Sequence, residues 1–166
     1  ANPTAAVPTN TTAALGSGLG GQFWETDTLA ANTDGIICSY QVPAATSAIP
    51  GKALYITSVK VSAFVQVALT GGGYNAVIGI AHGHTAVSLA TTEAAAAKAP
   101  RRLVLGDYAV ASGAAVTTKL ADFVVPFDPP LCVQPGEFVA VFKKKVGTAP
   151  SAGVIAHSIT FNGYRA

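Results

Sequence analysis

Three histidines are the residues best able to hold a metal ion: His82 and His84, two apart, and His157 on a separate predicted strand. Imidazoles at i and i+2 project to one face of an extended segment, so a third from a neighbouring strand would complete a zinc or nickel site. Gly83 favours a bend between the first two, and no Asp or Glu lies close in sequence to orient a ring, so the expectation is no metal and histidines that pack or hydrogen-bond at strand ends. Covalent catalysis has no foothold: there is no G-x-S-x-G elbow, and neither Cys38 nor Cys132 has a recognisable nucleophile setting. The carboxylates are Glu25, Asp27, Asp34, Glu93, Asp107, Asp122, Asp128 and Glu137, and they read as arm, turn, helix-start or strand-edge charges. Asp128 is the exception, since the two prolines after it predict a rigid turn. Gly71-Gly72-Gly73 is followed by Tyr74 and by no Lys-Ser or Lys-Thr, so it cradles no phosphate. The sequence thus predicts no catalytic residue, no cofactor and no enzyme.

Binding surfaces are the alternative. Trp24, Tyr40, Tyr55, Tyr74, Tyr108 and Tyr164 are the polar-tipped aromatics that a carbohydrate site would use, but nothing in their spacing places them on one surface. Phe23 and the lone Trp24 follow a charge-free segment and are the candidate partner-binding anchors of that arm, with capping of the protein's own core as the other reading. Lys143-Lys144-Lys145 is the one basic run; it reads as a solvated strand end, or else as a contact for an acidic partner. Cys38 and Cys132 sit in apolar settings without metal or redox spacing, so buried free thiols are expected, the other possibility being one long-range disulfide.

The elements that must position these residues are strands. From 54 to 69, Val59, Val61, Ala63, Val65, Val67 and Leu69 alternate with Ser58, Lys60, Ser62, Phe64, Gln66 and Ala68, which predicts one packed face and one mostly polar face. The three glycines then turn the chain into a returning strand at 74–81. Further strands are expected at 35–42, 102–110, 115–127, 137–144 and 154–161, divided by Pro- and Gly-bearing breaks that include Asp128-Pro129-Pro130 and Pro135-Gly136. One short helix is expected at 89–99, with Thr91 or Thr92 as cap, Glu93 in the first turn, an alanine run and Pro100 as the stop. Seven or eight strands suit an all-β, jelly-roll-like antiparallel sandwich. Residues 1–24 form an extended N-terminal arm, and 25–166 form a single β-sandwich domain.

Composition speaks to partners. The 166 residues suffice for one core, yet only 11% are charged where about 25% is usual, while 50% are hydrophobic. So little charge predicts a surface covered by copies of the chain or by a large partner. Ten basic and eight acidic residues, a net charge of +2, give no electrostatic footprint for nucleic acid. No stretch approaches the roughly 20 apolar residues of a spanning helix, and no basic-then-apolar leader opens the chain, so no membrane partner is expected. A start at Ala1 without any Met suits initiator removal or cleavage from a precursor alike.

The stretch 81–102, running from His82-Gly83-His84 through the alanine-rich segment to Pro100-Arg101-Arg102, resembles small virion proteins of tailed bacteriophages and prophages. Val133-Gln134-Pro135-Gly136-Glu137 with the apolar run after it, and the closing Phe161-Asn162-Gly163-Tyr164, fit the same resemblance. It covers roughly the second half of the chain and rests on structural motifs. It implies a capsid decoration or cement protein, a homotrimeric jelly roll assembled in the host cytoplasm, with itself and the major capsid protein as partners on the virion surface. The arm would then lie across a neighbouring subunit or the shell. A tail or baseplate component, and a secreted lectin-like carbohydrate-binding module, are the alternatives.

Overall fold

The computed structural model describes residues 13–15, 22–26, 34–47, 50–84 and 102–166. These form nine strands: β1 (Ala13–Leu15), β2 (Gln22–Thr26), β3 (Asp34–Gln41), β4 (Leu54–Thr70), β5 (Gly73–His84), β6 (Arg102–Val110), β7 (Lys119–Val133), β8 (Phe138–Thr148) and β9 (Ala152–Arg165). They pair into two antiparallel sheets, β1-β2-β9-β4-β7 and β3-β8-β5-β6, which pack face to face as a sandwich. The expected all-β antiparallel sandwich is therefore the fold, and the described residues include no helix; the helix expected at 89–99 lies outside them. From β2 onward the strands pair as nested partners, β2 with β9, β3 with β8, β4 with β7 and β5 with β6.

Alternation builds the core. Along β4, Val59, Val61, Ala63 and Val65 are fully buried, while Lys60 faces water. Val67 departs from that rhythm and is 50% exposed, because the register against β9 shifts on both sides of it. Facing this row, β5 contributes Ala76, Ile78 and Ile80, and β8 contributes Val139 and Val141. Removing each large aliphatic side chain from water contributes about 1.5–3 kcal/mol, and the two rows together make one apolar interior.

Two expected boundaries move. The Asp128-Pro129-Pro130 segment is no turn: β7 continues through it to Val133, and the Asp128–Pro129 peptide is cis. Between the Ser58–Pro126 and Ile56–Leu131 pairs the register shifts, so the prolines sit in a bulge. β7 is the outer strand of its sheet, where a missing N–H costs no ladder bond on the open side. The basic run at 143–145 is also no solvated strand end. Lys143 and Lys145 are fully buried and only Lys144 faces water, because period two along β8 places 143 and 145 on the face that carries Val139 and Val141.

Candidate functional site

The interior holds a polar cluster that the strand rhythm dictates. Lys143 Nζ and Lys145 Nζ stand 5.7 and 5.2 Å from the centroid of the Tyr74 ring, so both cations contact one aromatic ring from the neighbouring strand β5. Opposite them β9 inserts His157, fully buried, whose Nε2 shares a 2.7 Å hydrogen bond with the Tyr108 hydroxyl of β6. Burial first, and the nearby Lys143 and Lys145 charges second, hold His157 well below its ordinary pKa, so the imidazole is neutral at physiological pH. Tyr108 is 5% exposed. This buried imidazole–phenol hydrogen bond ties the two sheets together.

A second group of side chains lies on the outside of the larger sheet. Register sets Tyr164 of β9 and Cys132 of β7 on either side of Tyr55 of β4. The two tyrosine rings stack with centroids 5.2 Å apart and planes 13° from parallel, and Tyr164 is 52% exposed. Tyr55 bonds to the Cys132 thiol, which together with the charge interaction raises the phenol above its usual pKa. Gln134 Nε2 donates to the same sulfur at 3.2 Å. Farther along this face Asn162 Nδ2 donates to Ser58 Oγ at 3.0 Å, and Lys119 Nζ donates to Asp122 at 2.6 Å. The Lys119 ammonium, through its hydrogen bond and its charge, holds Asp122 below the usual carboxylate range. This is a hydrogen-bonded, half-aromatic surface without a nucleophile–base pair.

The histidines separate. His82 and His84 are on β5 in the smaller sheet, with a positive φ of 78° at Gly83 and a register shift between them, whereas His157 is in the larger sheet. Among the described residues no three His, Cys, Asp or Glu side chains lie together as a metal set. Phe23 and Trp24 belong to β2, where their backbones stand opposite His157 and Ala156. The arm boundary at residue 24 thus falls inside β2, which pairs with both β1 and β9; residues 1–12 and 16–21 lie outside the described residues. Cys38 is buried, and both cysteines are free thiols. Burial pushes the Cys38 thiol up to about 12, while Cys132, expected to be buried, is partly exposed.

Of these groupings, the buried lysines left a signal in the sequence, the x-Val-x-Val-x-Lys-x-Lys rhythm from 138 to 145. The Tyr55–Tyr164 stack left none, since it depends on the register of two strands far apart in the sequence. No family model matches the chain, and a search of curated proteins found no match.

Proposed function

We propose that this chain is a structural subunit of a tailed-phage virion, a decoration or cement protein that binds the assembled capsid as a homo-oligomer, with a trimer the expected form. The observation that carries the reading is a charge-poor surface that turns large apolar side chains outward: Val104 is 72% exposed, Val124 56%, Val116 51% and Val67 50%. Such exposure suits a subunit whose surface is covered in its working state. The four nested strand pairs support the finer reading of a jelly roll, an architecture that recurs in viral shells. The resemblance of 81–102, 133–141 and 161–164 to small virion proteins points the same way.

In this role the chemistry is mass action. A subunit that binds the assembled, expanded shell and not its dispersed parts stabilises the shell by RT ln(1 + [L]/Kd), about 2.7 kcal/mol per site at a hundredfold excess over Kd. The test is to add the purified chain to heads assembled without it and to follow their rupture on heating. Decorated heads are expected to burst at a higher temperature; identical rupture curves with and without the chain overturn the proposal.

The Tyr55–Tyr164 stack favours a second reading, a lectin-like module, because an exposed tyrosine beside amide and hydroxyl groups is the material of a sugar platform. Glycan-array binding by the isolated chain that is lost in Tyr164→Ala would advance it over the virion reading.

A further inference from the structure

Four strands lie at the margins of the two sheets, β1 and β7 in the larger, β3 and β6 in the smaller. The larger sheet has a further margin inside its strand order, because β2 covers only part of β9. The β2 ladder runs from Thr26↔Val154 to Gln22↔Ser158, whereas β9 continues along β4 as far as Arg165. From Ile159 to Arg165 no described strand pairs with the outer side of β9. That side meets water: Thr160 and every residue from Asn162 to Arg165 are exposed, and for Gly163 the exposed part is the backbone itself.

Register fixes which groups point there. Ala53 and Ala166 exchange both backbone hydrogen bonds, at 3.0 and 3.2 Å, and Asn162 O accepts from Thr57 Oγ1, so the even positions of β9 aim their backbone groups at β4. Ile159, Phe161, Gly163 and Arg165 therefore aim theirs away from it, four N–H and four C=O groups spaced evenly along seven residues. The other margins are guarded. β3, β6 and β7 each carry extra residues opposite their neighbour, at Ile37, at Leu105 and at 127–130, and β7 adds three prolines, while β1 has three residues only. Residues 159–165 contain no proline, and the register shift against them lies in β4, at Thr57.

We propose that this stretch of β9 pairs antiparallel with the same stretch of a second copy, about a two-fold axis through Asn162. The occupant follows from how well the stretch matches itself. Centred on Asn162, Ile159 stands opposite the partner's Arg165 and Phe161 opposite the partner's Gly163, an arrangement that uses all four outward N–H and C=O pairs. Sliding the copies by one residue pair leaves Ile159 without a ladder partner in one direction and Arg165 in the other. Side chains agree with the same register. Phe161, only partly buried within one copy, lies across a glycine, and on the other face Tyr164 stands opposite the partner's Thr160, an aromatic beside a β-branched residue. Arg165 is the one charge in the stretch, and the two-fold sets its copies at opposite ends of the ladder, so no like charges meet. The contact goes beyond the proposed function and is separate from the three-fold contact that a trimer needs: alone it gives dimers, and together with a three-fold contact it gives hexamers.

The test is disulfide trapping of Asn162→Cys in the full chain carrying Cys132→Ser, beside Val124→Cys with Cys132→Ser as a control on another exposed strand. Residues that face each other across a non-hydrogen-bonded antiparallel pair have Cα atoms about 4.5 Å apart, within reach of a disulfide. Under a mild oxidant the Asn162→Cys chain is expected to double its mass on a non-reducing gel far faster than the control; no doubling, or equal rates in the two, overturns the proposal. Circular dichroism with a melting curve verifies that both variants fold. Light scattering of the wild type is expected to give an even number of copies. A trimer overturns the two-fold contact and leaves the homo-oligomer of the proposed function standing, whereas a monomer overturns both.

Discussion

His157 is held without its second proton by burial and by Lys143 and Lys145. Its folded pKa lies below the value of about 6.5 that it has in the unfolded chain, which fixes the sign of the pH response. Above that pH the ring is neutral in both states and contributes no slope. As the pH falls through about 6.5 the unfolded chain takes up a proton that the folded one refuses, and stability drops by up to about 1.4 kcal/mol per pH unit until the folded pKa is reached. Urea midpoints are expected to decline between pH 7 and pH 5, with a shallower decline in His157→Gln; equal slopes in the two proteins would contradict this account. The cysteines make an independent test. Cys132 is partly exposed, and Cys38 is buried with its thiol pushed up to about 12. One thiol is expected to react with Ellman's reagent in the native protein and two in denaturant; rapid native labelling of both would show that β3 does not seal Cys38.

At the scale of elements, β8 and β5 are locked by a ring and a missing side chain. The Phe142 ring occupies the space where Gly79 would carry a Cβ, and Arg102 lies over the same ring at 4.9 Å from its centroid. Gly79→Ala is expected to cost about 1–3 kcal/mol, because the ring must leave a covered position against Ala81 and Ala140. An unchanged melting temperature would mean that the ring has room to move. Why some of these strands were legible and others were not comes down to where the partner lies. The period-two rhythm of 58–69 declares β4 by itself, and Gly71-Gly72-Gly73 declares the turn into β5. The end of β7 was hidden because proline argues for a break, and the edge position that makes proline harmless is a tertiary fact. Lys143 and Lys145 were misread for a related reason: a basic run looks solvated until the phase of the strand is extended through it. The tyrosine stack depends on strand register across the whole chain, which no local pattern records.

For the whole molecule, a sandwich with a continuous apolar interior still leaves Val104, Val124, Val116 and Val67 half-exposed or more, and has little charge with which to keep its surface apart from others. Composition signals that surplus, since the 11% of charged residues is less than half the usual share of about 25%. It does not say which face a partner would cover. The proposal of a virion subunit stands or falls on whether the chain binds an assembled shell. The most direct measurement is sedimentation of the purified chain with phage heads that lack it, beside the same chain with unassembled capsid protein. The account predicts that the chain pellets with the heads, saturates at a fixed number of copies per head, and stays in the supernatant with the unassembled protein. A chain that remains in solution at head concentrations far above those of any working particle would contradict it.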